Sequence, residues 1–116
     1  MARRKNELKD SINENLRAGY LELLILQILS EKDCYGYEMK NEITERTNGV
    51  FTFSTSSLYI PLLRLTDRGY ISSRKEIVVG KRFRTYYHIE KTGIEYLEYG
   101  KEQFITVVDG IKNMLY

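Results

Sequence analysis

The chain of 116 residues has no tryptophan and only one residue each of cysteine, proline and histidine. Each scarcity excludes something. A single cysteine, Cys34, makes no internal disulfide, so it reads as a small buried thiol in a reducing cytosol. Cys34 and His88 together are too few for a zinc site within one chain, so neither a metal nor a cofactor is expected. With one histidine, no Ser-His-acid set can be assembled, and no phosphate-cradling loop is present; the chain does not read as an enzyme. One proline and eight glycines leave no long flexible linker, and the length suits one domain. The most apolar run, Leu21 to Leu29, is broken by Glu22 and Gln27 and is too short to span a bilayer. The basic start leads into a polar stretch rather than a signal peptide. A cytoplasmic protein without a membrane partner is expected.

The net charge of +2 is too mild to argue for a polyanionic partner, but its distribution is informative. Between Tyr70 and His88 lie five basic residues (Arg74, Lys75, Lys81, Arg82, Arg84) and one acidic residue, Glu76. From Glu90 to the end there are five acidic and three basic residues. A second cluster, Arg3-Arg4-Lys5, opens the chain. A local basic stretch beside a neutral remainder suggests a surface that meets an anion.

Hydrophobic spacing divides the chain. Leu8, Ile12 and Leu16 recur every fourth residue, which predicts an amphipathic helix over 4–16 with one narrow apolar stripe. Residues 20–30 are apolar nearly all round, as in a core helix. Residues 33–35 read as a loop, followed by a helix over 36–46 with Tyr37, Met39 and Ile43 on its inner face. Asn48-Gly49 stops that helix, since both residues tolerate the left-handed conformation. Val50-Phe51-Thr52-Phe53 is a short β-prone stretch. Ser54 to Ser57 then offer capping oxygens to a helix that reaches Arg68, with a late or irregular first turn because of Pro61. Residues 70–90 alternate with period two around Gly80, the pattern of an antiparallel hairpin.

The last helix begins after Glu90 or Lys91. Ile94, Leu97, Phe104, Val108, Ile111 and Leu115 form a heptad-like stripe, interrupted at Lys101 and widened by Val107 and Met114. Such a stripe needs cover, and a second copy of the chain is the expected partner. Leu8, Ile12, Leu97, Phe104, Val108, Ile111 and Leu115 are therefore candidates for a homodimer interface.

The order of helix, helix, short strand, capped helix and basic hairpin is that of a winged helix-turn-helix, mainly α with a β-hairpin wing. A helix fits the major groove, and residues near its N-terminus reach base edges. Thr55, Ser56, Ser57 and Tyr59 are the candidate readers; Arg64, further along the same helix, can approach a backbone, and Tyr37 and Lys40 join from the helix over 36–46. Lys81, Arg82 and Arg84 would neutralise phosphate from the wing. The expected organisation is a DNA-binding domain over 1–90 and a C-terminal dimerisation helix over 91–116. The alternative is a winged-helix module that binds protein without reading DNA.

Gly36-Tyr37-Glu38 and Ser57-Leu58-Tyr59-Ile60-Pro61-Leu62-Leu63-Arg64-Leu65 resemble the PadR family of transcriptional regulators. So do Arg68-Gly69-Tyr70-Ile71, Gly80-Lys81-Arg82 and Tyr86-Tyr87-His88-Ile89. The resemblance spans roughly residues 19–93. It implies a dimeric repressor of nearby operons that binds an inverted-repeat operator in double-stranded DNA and is released by a small apolar or aromatic effector. Without tryptophan, an effector pocket would draw on Phe104, Val107 or tyrosines. Glu90 stands where many members carry threonine before the last helix.

Overall fold

The computed structural model describes residues 4–9, 12, 19–80 and 82–116. Its elements are α1 (Leu21–Glu31), β1 (Cys34–Tyr35), α2 (Gly36–Arg46), a 3-10 turn (Thr55–Leu58), α3 (Tyr59–Asp67), β2 (Ile71–Val78), β3 (Arg82–Ile89) and α4 (Lys91–Leu115). Residues 4–9 and 12 are also helical; the rest of the helix expected over 4–16 lies outside the described residues.

The all-round apolar character of α1 has a direct consequence. Ile25, Leu26, Ile28 and Leu29 are all buried, so α1 packs against more than one neighbour. Met39 and Ile43 from α2, Leu58 from the 3-10 turn, Leu62 and Leu65 from α3, Ile71 and Ile89 from the hairpin, and Leu97 from α4 complete one core with them. Truncating a leucine at such a site, Leu26 for example, costs about 2–5 kcal/mol.

Helix ends follow local chemistry. In α2, the backbone N–H of Tyr35 donates to the Glu38 carboxylate at 3.4 Å, which gives the glutamate of the Gly-Tyr-Glu motif a capping role. At the other end, Gly49 N–H donates to Thr44 O at 2.9 Å and Asn48 N–H to Glu45 O at 3.0 Å. Asn48 and Gly49 both have positive φ, at 53° and 80°. That is a Schellman stop with asparagine in the left-handed position. The 3-10 turn before α3 is the irregular start that Pro61 demands. Pro61 falls in the first turn of α3, where its missing N–H leaves no ladder bond unmade.

The sheet has strand order β1-β3-β2 and is antiparallel throughout. The hairpin runs from the pair Ile71–Ile89, both buried, out to Val78–Arg82, with Gly80 at φ 82° in the tip. The wing leaves the core partway along: Ile77 and Phe83 face each other across the strands and are exposed.

Four expectations need correction. Cys34–Tyr35 is a strand, not a loop, paired to Tyr87 and Tyr86 of β3. Residues 50–53 form no strand. Side chains take the Phe51 backbone instead: Thr44 Oγ1 donates to Phe51 O at 2.8 Å, and Phe51 N–H donates to Thr47 Oγ1 at 3.1 Å, while Val50 N–H donates to Thr47 O at 3.0 Å. Tyr37 is exposed rather than on the inner face of α2. Leu97 is buried in the core of its own chain. It is therefore not available to a partner, and together with the buried Gly93 it carries the core past residue 90 into α4.

Candidate nucleic-acid interface

The turn at Thr55–Leu58 and the start of α3 present Thr55, Ser56, Ser57 and Tyr59 to solvent, while Leu58 and Leu62 turn inward. The alternation comes from one amphipathic segment whose apolar side is drawn into the core. The serines do not cap through their side chains. Ser54 Oγ instead lies 2.9 Å from Ser56 Oγ and 3.0 Å from Ser57 Oγ, a small hydroxyl cluster at the surface.

Beside this cluster a groove of about 390 Å3 runs between the start of α2, the start of α3 and strand β3. Tyr37, Thr55, Ser56, Tyr59 and Arg84 line it, with Gly36, Thr85 and Tyr87 among its other walls. Five candidates from three separate segments of the chain therefore share one surface. A β-carbon at Gly36 would lie 3.4 Å from Thr55 Cγ2, an ordinary van der Waals contact, so the start of α2 lies close against the turn. Burial, and then the nearness of Tyr59, push the Tyr87 phenol above its ordinary range. Lys40 Nζ sits over the Tyr37 ring at 5.8 Å, which places a cation at the α2 rim.

Ion pairing separates the arginines. Arg46 holds Glu31 at 2.7 Å, Arg64 and Arg68 face Glu22, and Arg74 pairs with Asp33 and Glu76. Among the described residues Arg82 and Arg84 have no acidic partner; the Arg84 guanidinium stacks over the Tyr35 ring at 4.2 Å. The wing thus offers unneutralised charge beside the hydroxyl-lined groove. Arg64, further along α3, does not line the groove; its Nε lies 3.0 Å from Glu22 Oε1. Lys81 lies outside the described residues. Sequence reasoning missed the roles of Tyr35 and Thr85, since only the pairing of β1 with β3 brings Tyr35 under Arg84.

The outer face of the sheet is a separate arrangement. His88 Nδ1 lies 2.7 Å from Asp33, and Arg74 binds the other oxygen of the same carboxylate. The hydrogen bond with His88 first, and then that from Arg74, hold the Asp33 carboxyl below the usual range, against the opposing effect of burial. Cys34 is fully buried, and burial raises its thiol to about 11.

α4 crosses α1, and its far half carries Val107, Ile111, Met114 and Leu115 exposed, with Val108 half-buried. Phe104 meets Tyr20 edge to face at 5.0 Å. On one flank of Phe104 a groove of about 270 Å3 is lined by Tyr20, Tyr96, Tyr99 and Val107. On the other, a groove of about 450 Å3 is lined by Leu23, Leu24, Leu97 and Ile105. No helix among the described residues is long and apolar enough to cross a membrane.

A family model described as the transcriptional regulator PadR-like family matches residues 25–99. The structure is similar to a transcriptional regulator from Clostridium thermocellum, with TM-score 0.80 and 30% identity, covering 88% of this chain and 99% of that one. It is also similar to Bacillus subtilis PadR in complex with operator DNA, with TM-score 0.62 and 27% identity, over 67% of this chain and 44% of that one. In sequence it is 33% identical over 94 residues to the transcriptional regulator YqjI of Escherichia coli. That match covers 81% of this chain but 44% of YqjI, so the chain spans less than half of that relative's length.

Proposed function

The chain belongs to the PadR-like family of transcriptional regulators, and from that premise we propose that it is a homodimeric repressor reading an inverted-repeat operator in double-stranded DNA. The observation that carries this reading is the groove in which Tyr37, Thr55, Ser56, Tyr59 and Arg84 converge beside the unpaired charge of Arg82. Hydroxyls that both donate and accept suit base edges, and unpaired guanidinium groups suit phosphates. Ser57, Lys40 and Lys81 extend the same surface in this reading. Residues 1–90 supply the DNA-binding unit and 91–116 the dimerisation helix, whose first turns also serve the core. Acting on DNA, the regulator works in the cytoplasm.

In the dimer, Leu8, Ile12, Phe104, Val108, Ile111 and Leu115 meet a second copy. These residues remain solvent-facing within one chain, and a two-fold pair covers them at the lowest symmetry cost. A small apolar or aromatic effector sits in the groove beside Phe104 and Val107 and releases the DNA. The tyrosines of that groove take the place of the missing tryptophan.

The test is selection from a random duplex library, followed by binding of the enriched sequence at several salt concentrations. An inverted repeat with half-site centres about 10 base pairs apart, or a multiple of that, is expected. Replacing Arg82 with alanine should lower the slope of log affinity against log salt by about one unit. No enriched sequence would refute operator reading, and an unmoved slope would remove the wing from the contact. Titrating a panel of aromatic compounds while following DNA release tests the effector; a complete lack of response would leave a ligand-independent regulator.

A further inference from the structure

Glu22 stands where two surfaces meet. It lies in the first turn of α1, and its side chain is only 16% exposed. Arg64 Nε is 3.0 Å from Oε1, and Arg68 approaches Oε2 at 3.7 Å. Oε1 is shut off from solvent and has no aligned hydrogen-bond donor, so charge rather than a directed bond holds Arg64. Both arginines keep about half of their side-chain surface in water, 53% for Arg64 and 50% for Arg68. The same Glu22 lines the groove between α1 and α4 with Tyr20, Tyr96 and Phe104.

Two cations share one anion here. A half-solvated ion pair without hydrogen-bond alignment is weak, whereas a phosphate offers a guanidinium a bidentate, charge-assisted contact. Arg64 follows Tyr59 by about 7.5 Å along the helix axis, taking about 1.5 Å per residue. Five residues also turn the helix by about 140°, so Arg64 flanks the Tyr59 face rather than sharing it, and both arginines remain half in water along α3.

We propose that Glu22 is a positioning residue that holds Arg64 and Arg68 back from DNA, so that each reaches a phosphate only by leaving the carboxylate. The inference rests on the DNA-binding reading above. It makes Glu22 a brake on affinity for duplex of any sequence. It also places that brake in the wall of the α1–α4 groove, so the groove and the two arginines share one carboxylate.

The experiment compares the salt dependence of binding to a non-specific duplex, read by fluorescence anisotropy. The proteins are the full wild-type chain, Glu22→Gln, Glu22→Asp and the triple variant Glu22→Gln/Arg64→Ala/Arg68→Ala. Glu22→Gln should bind several-fold more tightly, with a log–log slope steeper by about one to two units. Glu22→Asp, which withdraws the carboxylate by one methylene, should fall between it and wild type. The triple variant should return to the wild-type slope or below. A loss of helix packing alone would not steepen a salt slope. An unmoved or shallower slope in folded Glu22→Gln overturns the proposal, as does a gain that survives in the triple variant. Should Glu22→Gln fail to fold, an unmoved slope in Glu22→Asp overturns it equally. A wild-type chain without affinity for any duplex would overturn the DNA-binding reading as well; DNA binding with an unmoved variant slope overturns the brake alone.

Discussion

Two glycines of α4 should respond in opposite directions to the same added methyl group. At Gly93 a β-carbon would lie 2.2 Å from the Tyr70 carbonyl oxygen and 2.8 Å from Ile89 Cγ1, where ordinary contact begins at 3.4 Å. The carbonyl has little freedom to retreat. It accepts the Glu90 N–H at 2.9 Å, and the Tyr70 N–H is committed to Leu65 O at 3.0 Å in the turn that ends α3. The Tyr70 ring is stacked on Tyr96 with centroids 4.4 Å apart. Thr92 Oγ1 ties the same turn from the other side, donating to Gly69 O at 2.7 Å. The first turn of α4 must therefore move away from the end of α3 to admit a methyl.

Overpacking costs about 1–3 kcal/mol, and a backbone neighbour puts Gly93→Ala toward the upper end. The helix preference of alanine offsets about 1 kcal/mol of that. A net loss of about 2 kcal/mol lowers the melting temperature by about 8 °C, taking about 4 °C per kcal/mol for a domain of this size. At Gly110 a β-carbon meets nothing within 4 Å. Only the helix preference acts there, and Gly110→Ala should raise the melting temperature by about 2–4 °C. Circular dichroism melts at one fixed protein concentration give the comparison, since a dimer's midpoint depends on concentration. Equal shifts for the two variants, or a Gly93→Ala melt within about 2 °C of wild type, would refute the reasoning. A fall at Gly110 would instead mean that a partner helix packs there.

Val108→Glu places a charge in the apolar stripe of α4 and should yield monomers in sedimentation; a dimer of unchanged mass would count against the stripe as an interface. Asp33→Asn should flatten the acid side of the stability curve. The folded carboxyl lies below its ordinary 3.8 because of His88 first and Arg74 next. Its contribution is therefore full above that ordinary value and is lost as the pH falls through the lower folded one. Wild type and Asp33→Asn with identical urea midpoints from pH 7 to pH 3 would exclude it. Cys34, fully buried with its thiol raised to about 11, should resist a thiol reagent at pH 8 in the native chain and react fully in denaturant. Rapid native labelling would refute its burial.

What was legible in the sequence was whatever one segment decides for itself. The period of α1, the Asn48-Gly49 stop, the irregular start forced by Pro61 and the two-residue alternation around Gly80 all have causes within a few residues. What was illegible depends on distant partners. Cys34–Tyr35 is a strand only because β3, some fifty residues later in the chain, passes beside it. Val50–Phe53 has strand-like composition but pairs with no strand, and Thr44 and Thr47 take the hydrogen bonds of Phe51. The stripe of α4 showed which side is apolar but not what covers it, and α1 covers Leu97.

The arginines carry the same lesson into function. A net charge of +2 says little, because charge counts toward a polyanion only where no carboxylate already holds it. Of the six arginines from residue 46 onward, four face a carboxylate and the two in the wing do not. On the DNA-binding reading, the arginines able to meet a phosphate without first leaving a carboxylate are those of the wing, and Lys40 adds a cation at the α2 rim. Discrimination falls to the hydroxyls and tyrosines of the groove, whose contacts depend on which base edge they meet.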